Sequence, residues 1–391
     1  MWLYSDPQYM LMEELLLIGV FGGSRLVFFI DSVEVLEDLV IGSALLGGGG
    51  GGDLEAGLQL ARMIPSLGVI EIRSIDEVSK DSILVTTSIV GPQSDDTWKR
   101  FSLIANIVRS VRAIDKAVGI PIEGLISSEI GALNTISPFS ASIFLDIPVI
   151  DAPCNGRAHP TVLMGSLGLH RRPGYRALIA ASWGVAGDRS RGSAILMGSL
   201  EEVVSILRGI VMMRGSVATA RNPVEAEYVK HNAAPGSVSL AIDLGSIITS
   251  YRSDPRDLSH KIANRLSGLV IEDCVAVEKL SEVREGLDYG RVSIRCGDKE
   301  YVLVYANEYI YLEDGGSLVA LFPDLISTID ISSGLPLLSK DLDRGSRFNI
   351  IITSWKNLRL GSGLRYPESY EHLVKAIEID IRPHLKELLV G

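Results

Sequence analysis

The sequence predicts an α/β protein, with an N-terminal, mainly parallel sheet flanked by helices and a β-rich C-terminal domain. Its 391 residues, 47% of them hydrophobic, are enough for about two domains with their own cores. Strands alternate with helices over the first two thirds of the chain, and strands then follow without long helices between them. The expected domains are an α/β domain over 31–265, a β-rich domain over 266–365 and a closing helix over 366–391.

The composition excludes several classes of protein. The formal net charge is −11, and no basic face is evident, so nucleic acid is not an expected partner. Cys154, Cys274 and Cys296 lie far apart and form no CxxC pair, which predicts neither a disulfide framework nor a cysteine zinc site. A reduced, cytoplasmic setting fits best. Three Gln residues, and 26 Arg against 11 Lys, point to a thermophilic origin.

An apolar stretch near the N-terminus extends from Leu15 to Ile30 but is interrupted at residues 22–25. Neither half approaches the roughly 20 residues that span a bilayer. Acidic residues rather than a basic segment precede the stretch, which argues against a signal peptide. We therefore expect an N-terminal strand pair and no membrane association.

Two helices are predicted on either side of a run of six glycines, residues 47–52. Asp31 and Ser32 are suited to cap the first helix, and Glu34 is placed to close a capping box. Asp53 is the natural N-cap of the second. The predicted helices cover 33–46 and 54–64.

Beyond the glycine run, β-branched apolar runs alternate with segments of helical spacing, which predicts a sheet with helices on its faces. The predicted strands cover 83–90, 122–127, 148–150, 175–181 and 193–197. The predicted helices cover 98–118, 138–145, 200–213, 216–230 with a break at Pro223, and 236–251. In the C-terminal part the predicted strands cover 271–280, 290–296, 300–306, 317–322, 326–331 and 348–353. A last helix is predicted over 370–389, kinked at Pro383.

The glycine run leads into a helix N-terminus, as phosphate-binding loops do. However, no Lys-Ser or Lys-Thr follows it, and a helix rather than a strand precedes it, so neither a P-loop nor a dinucleotide fingerprint is present. A neutral, planar ligand suits the loop better: the backbone N–H groups of Gly48, Gly49, Gly50 and Gly51 would serve its acceptors and Asp53 its donors. The alternative is a flexible loop with Asp53 as a plain cap.

Glu129 and Asp151 each follow a predicted strand, so their carboxylates are expected to face one crevice at the carboxyl ends of the strands. The alternative for each is a helix cap. Asp151 opens a ten-residue turn that also holds Cys154, Asn155, Arg157 and His159. Because these polar residues share one turn with it, His159 is a candidate general base or metal ligand. A lone buried cysteine such as Cys154 is more often inert.

Asp324 lies between two apolar strands of the predicted β domain, where a charge needs a partner. It is expected either to cap a turn or to reach into a cleft between the two domains. Asn307-Glu308 is a comparable but weaker feature.

Five segments in this order resemble the S-methyl thiohydantoin desulfurase family: the glycine run with Asp53, Ser128 to Asn134, Asp151 to Pro160, Asn307-Glu308 and Pro323 to Ile326. The resemblance covers residues 31–365. It implies an α/β domain, a β-rich domain and hydrolytic cleavage of a C–S bond on a five-membered thiohydantoin ring, leaving a hydantoin. Alternatives are a non-catalytic partner of a hydantoinase complex and a ring-opening cyclic-amide hydrolase.

Such hydrolysis needs a base that activates water and donors that stabilise charge developing on the ring. Glu129, Asp151 and His159 are the candidate bases, and Arg157 with the glycine N–H groups are the candidate donors. Asn134, Asn155 and Asp324 are expected to contact the ligand. A divalent ion held by Asp151 and His159 is a further option, and hydantoinase subunits and a second copy of the chain are expected partners. Many family members carry Phe where this chain has His159, which marks a subgroup.

Overall fold

The structure, a computed structural model, describes residues 27–91, 97–185 and 187–390. Within them the N-terminal sheet has the strand order β1-β2-β5-β4-β3-β8-β6-β7. The strands are β1 Val27–Ile30, β2 Ile70–Arg73, β3 Ile83–Val90, β4 Ile122–Ser127, β5 Val149–Ile150, β6 Ala177–Trp183, β7 Gly192–Gly198 and β8 Val217–Glu225. Of the strand pair expected over Leu15 to Ile30, Val27–Ile30 forms β1; the rest lies outside the described residues.

The N-terminal sheet is mixed, so the expectation of a mainly parallel sheet is partly wrong. Only the four central strands β2, β5, β4 and β3 are parallel to one another. At one edge β1 pairs antiparallel with β2, and on the other side β8, β6 and β7 are joined to β3 and to one another by antiparallel pairing. The main reason is β8, which lies where a helix was predicted over 216–230. Its apolar residues are buried on both faces of the sheet, and a short run buried all round has no periodicity that separates strand from helix.

The helices of the described chain cover both faces of this sheet. They are α1 Val33–Gly47, α2 Leu54–Met63, α3 Thr97–Val118, α4 Ala132–Leu145, α5 Leu200–Arg214, α6 Ala226–Asn232, α7 Ser237–Tyr251, α8 Pro255–Arg265 and α9 Glu371–Ile377. Ser32 caps α1 by accepting from Val35 N–H at 3.4 Å. The Ser32 hydroxyl donates to the Glu34 carboxylate. Glu34 does not close a capping box, because it is the second residue of the helix and the box needs Glu or Gln at the third.

Helix α4 begins six residues earlier than predicted, at Ala132, so that Pro138 lies inside it. A proline there leaves the carbonyl of Asn134 without its usual helical N–H donor. The Ser137 hydroxyl donates to that carbonyl at 3.0 Å and so satisfies it. The earlier start places Asn134 in the first turn of α4.

The second sheet is antiparallel throughout, with the order β13-β12-β11-β10-β9-β15-β14. Its strands are β9 Leu269–Arg284, β10 Leu287–Cys296, β11 Lys299–Ala306, β12 Glu308–Asp314, β13 Ser317–Leu321, β14 Leu325–Asp330 and β15 Arg347–Thr353. The sheet curves, so that β14 also lies against β12 and β13. Strand β12 was not predicted from the sequence.

Two expectations about the C-terminal part are wrong. Cys274 and Cys296, 22 residues apart, form a disulfide because the β9–β10 hairpin places them opposite each other, which spacing alone does not reveal. The closing helix predicted over 370–389 is only the short α9, since Glu378 adopts the left-handed conformation directly after it. Pro383 lies in a later 3₁₀ turn.

One hydrophobic core joins the two sheets. Leu325, Ile329 and Ile351 of the second sheet pack into the same buried cluster as α1, α4 and α7. Among the described helices, none is long and apolar enough to cross a membrane.

Candidate active site

The glycine run forms a buried loop wedged between the two sheets. Tyr309 N–H donates to the carbonyl of Gly48 at 2.7 Å, and Ser339 N–H donates to that of Gly49 at 3.0 Å. A Cβ on Gly50 would lie 2.1 Å from Oε1 of Glu308, so any side chain there would displace that carboxyl. Glycine is therefore required for close packing against the second sheet.

The N–H groups of this loop are largely used inside the protein rather than offered to a ligand. Gly48 donates to Leu45 at 3.1 Å and Gly50 donates to the carbonyl of Gly47 at 3.4 Å. The N–H of Gly51 is directed to the Glu308 carboxyl. Asp53 caps α2 by accepting from Ala56 N–H at 2.6 Å and pairs with Lys340. These contacts favour the capping interpretation of Asp53.

Glu129 lies just beyond β4, buried beside the turn that follows β5. Its Oε1 accepts from Nδ2 of Asn134 at 2.7 Å, and its Oε2 accepts from the backbone N–H of His159 at 3.1 Å. The imidazole Nε2 of His159 lies 3.4 Å from the same Oε2. Gly165 makes room for the ring, because a Cβ there would lie 2.4 Å from Nε2.

Glu308, the first residue of β12, brings a second carboxyl to this place from the other sheet. It is 2% exposed, and its Oε2 has no hydrogen-bond partner among the described residues. Burial raises the pKa of Glu308 well above its usual value, the charge of Glu129 raises it further, and Arg157 opposes both effects. Burial and the nearby Glu129 carboxyl therefore favour the protonated form of Glu308.

Arg157 links the two halves of the molecule and is completely buried. Its Nη1 donates to the carbonyls of Pro323, at 3.1 Å, and Asp324, and its guanidinium lies 4.5 Å from the centre of the Phe322 ring. Burial lowers the pKa of Arg157 to about 10, so it stays charged at pH 7. Its Nη2 finds no hydrogen-bond partner in the described part of the chain.

His159 and Cys154 complete the surroundings. Burial lowers the pKa of His159, so the imidazole is neutral at pH 7, although hydrogen bonding of the ring to the backbone of Ser128 and Thr161 partly opposes this effect. Burial raises the pKa of Cys154 to about 11, and its thiol contacts the Thr86 hydroxyl at 3.2 Å. A thiol that is protonated and buried is a poor nucleophile, which agrees with the inert interpretation.

Three other residues of the predicted site have structural contacts. Asp151 holds the N-terminus of α7, accepting from Val238 N–H at 2.7 Å and from the Ser239 hydroxyl at 2.6 Å. Asn155 accepts from Gly361 N–H at 3.1 Å and donates to the carbonyl of Arg157 at 2.9 Å. The Asp324 carboxylate accepts from Trp355 N–H at 2.7 Å, so it is the Asp324 carbonyl that meets Arg157.

The structure thus brings Glu129, Asn134, Arg157 and His159 together and adds Glu308. Asp151 and His159 hydrogen-bond to different elements, and no group of three or more His, Cys, Asp or Glu side chains in residues 27–91, 97–185 and 187–390 is arranged to hold a metal ion. The sequence pointed only weakly to Glu308. The residue before it, Asn307, adopts a positive φ in a tight turn between two strands, and since Asn favours such turns, this Asn was the signal that the sequence offered.

Comparison with known proteins identifies the family of the chain. The sequence profile of the S-Me-THD-like N-terminal domain matches residues 34–187, and that of the S-Me-THD-like C-terminal domain matches residues 199–365. The chain belongs to the S-Me-THD-like family. Glu129, Arg157 and His159 lie in the part matched by the N-terminal domain of the family, and Glu308 in the part matched by the C-terminal domain.

A crystal structure of a protein from Chromobacterium violaceum has the same fold, with a TM-score of 0.65 over 83% of this chain and 91% of that chain, at 19% identity. No curated protein matches the sequence. Membership of the S-Me-THD-like family supports a role related to thiohydantoins.

Proposed function

We propose that this protein hydrolyses the C–S bond of an S-substituted thiohydantoin, producing a hydantoin and a thiol. The observation that carries the proposal is the buried carboxyl pair Glu129 and Glu308, one from each half of the molecule, beside Arg157. Two polar atoms of this group remain unpartnered among the described residues: Oε2 of Glu308 and Nη2 of Arg157. Buried polar groups without partners are rare, and a bound substrate would give them partners.

The two carboxyls suit the two proton transfers that the reaction needs. Glu129 removes a proton from water as the water oxygen bonds to the ring carbon that carries sulfur. Glu308, protonated because of its raised pKa, donates a proton to the sulfur as the C–S bond breaks. The proton left on the added oxygen moves to the ring nitrogen as the new carbonyl forms, so water and substrate become hydantoin and thiol without an oxidant or reductant. Passage of the proton from Glu129 to Glu308 restores the starting state.

Arg157 supplies a donor for the negative charge that develops on the ring when water adds. The guanidinium donates to the carbonyls of Ala158, Pro323 and Asp324, the last two in the turn between β13 and β14, and its Nη2 has no hydrogen-bond partner among the described residues. A donor fixed in advance in a buried site stabilises such charge more than a mobile surface side chain does.

His159 holds Glu129 mainly through its backbone N–H, which any residue at this position would offer. The family resemblance implies Phe at this position in many members, which is consistent with a role of the backbone N–H alone. We therefore assign the base to Glu129 and a positioning role to His159.

The experiment is thiol release from S-methyl thiohydantoins by the purified protein, followed in H₂¹⁸O so that label enters the new ring carbonyl. Glu129→Gln should lower turnover by about 10²–10⁴-fold, the contribution of a general base. His159→Phe is the matched control and should keep turnover within about tenfold, since it retains the backbone donor. If Glu129→Gln retains turnover and His159→Phe loses it, the base is His159.

Two other results would replace the proposal. Ring opening of hydantoins without thiol release would make the protein a cyclic-amide hydrolase. Thiol release only after hydantoinase subunits are added would make it a partner subunit that does not act alone.

A further inference from the structure

A groove of about 620 Å³ runs along the outer face of α3, lined by residues that take no part in the candidate active site. One side is apolar, with Leu67, Ile104, Val108 and Phe144. Phe144 is 50% exposed there, although it belongs to a helix that is otherwise well packed. Pockets that bind small molecules have volumes of about 300–1,000 Å³, so this groove has room for a ligand.

The other side of the groove is cationic. Arg109, Arg112, Lys116 and Arg191 line it, and the described residues contribute no acidic side chain to the lining. Among the described residues none of the four forms an ion pair, although the chain carries an excess of 11 negative charges. A groove lined by positive charges without ion-pair partners attracts anions, even on a protein whose net charge is negative.

The hydrogen bonds of Arg109 leave its positive charge without an acidic partner among the described residues. Its guanidinium bonds the side-chain oxygen of Asn106 and, at 3.3 Å, the carbonyl of Trp183, and its Nε has no partner within the described chain. Burial and the like charge of Arg191 lower the pKa of Arg109. Two guanidinium groups therefore repel each other, with no carboxylate from residues 27–91, 97–185 and 187–390 paired with either, and an anion bound there would relieve the repulsion.

We propose that this groove binds an anionic amphiphile: a carboxylate or phosphate head held by the cations and an apolar chain lying against Leu67, Val108 and Phe144. Charge-assisted hydrogen bonds from arginine suit either head. The apolar tail of the ligand would cover the exposed apolar side chains of the groove and be buried against them. The site is separate from the proposed hydrolytic one and does not depend on it.

The test is calorimetric titration of the full chain with decanoate and with decyl phosphate, both below micelle-forming concentrations. Decyltrimethylammonium has a similar chain but a positive head. Binding of either anion with no binding of the cation supports the proposal, and the preferred anion distinguishes a free carboxylate from a phosphate ester. Absence of binding by both anions, or equal binding of the cation, overturns it.

Variants separate a built site from general attraction of anions. Arg112→Gln with Lys116→Gln should weaken anion binding at least about tenfold, as expected for two lost charged contacts. Arg295→Gln with Arg344→Gln removes the same charge from exposed positions of the second sheet and its loops, and should leave affinity within about twofold. Equal weakening by both pairs would overturn the proposal.

A third variant tests the apolar side. Ala105 lines the groove from an exposed position on α3, so Ala105→Trp should fill the groove without disturbing the core. We expect this variant to melt as the natural protein does and to lose decanoate binding. Unchanged binding in a folded Ala105→Trp variant would show that the anion does not occupy the groove.

Discussion

At the scale of single residues, the proposed chemistry depends on the buried acid Glu308. Burial raises the pKa of Glu308 and so favours the protonated form that the proposed mechanism needs, and turnover should fall as pH rises through that raised pKa. Glu308→Gln cannot deliver a proton, so we expect turnover about 10²–10⁴-fold lower and an alkaline limb that disappears. The pH–rate profile of thiol release checks this. An alkaline limb that survives in Glu308→Gln would assign it to another group.

Asp151 has the opposite role, since it stabilises the fold. Its carboxyl accepts from two backbone N–H groups and one hydroxyl at the start of α7. Asn keeps one of the two oxygens, so Asp151→Asn should lower the free energy of unfolding by about 1–3 kcal/mol and leave turnover within tenfold. Thermal melting beside thiol release measures both. A normal melt with lost turnover would restore Asp151 as the base.

Some residues of the candidate site could be predicted from local sequence and others could not. Glu129, Arg157 and His159 lie on short turns directly after strands, where local sequence predicts exposure to a ligand. The partners of Asp53 and Asp151 are different: Lys340 and the N-terminus of α7 come from distant parts of the chain. Long-range contacts of this kind decide between a cap and a catalytic carboxylate, and local sequence does not contain them.

At the scale of elements, α1 and α7 approach so closely that only glycine fits between them. A Cβ on Gly245 would lie 1.8 Å from the carbonyl of Asp38, and one on Gly42 would lie 1.8 Å from that of Ala241. Gly245→Ala should therefore lower the free energy of unfolding by about 1–3 kcal/mol or more, because the helices must move apart. Chemical denaturation measures this difference.

Gly209 in α5 is the matched control. A Cβ there would meet nothing within 4 Å, so Gly209→Ala should gain helix propensity and stabilise the protein by about 0.5–1 kcal/mol. If Gly245→Ala is also stabilising, the two helices are not in backbone contact.

Elements with a strong local pattern were predicted well, and the others were not. Strand β3 follows a β-branched run and strand β4 an apolar one, and the predicted bounds of both are confirmed. Strand β8 contains Ala218 and Ala220, which favour a helix when considered alone, but pairing with β3 and β6 makes it a strand. Tertiary pairing therefore overrides propensity where the local signal is weak.

At the scale of the whole molecule, the two family domains and the two sheets divide the chain differently. The sequence profiles meet between residues 187 and 199, whereas β8, at 217–225, completes the first sheet and the second sheet begins at Leu269. The candidate site draws on both sheets through the glycine loop and Arg157. Catalysis is therefore expected only from the full chain.

This arrangement makes a prediction about fragments. Residues 1–190 contain β3 and β6 but lack β8, which lies between them, so their facing edges would leave backbone groups unpaired. A fragment of residues 1–266 contains every strand of the first sheet together with α7, which packs against α1. We expect cooperative melting from 1–266, at a lower temperature than the full chain because the shared core is incomplete, and none from 1–190. Circular dichroism on heating checks this, and cooperative melting of 1–190 would mean that β3 and β6 need no strand between them.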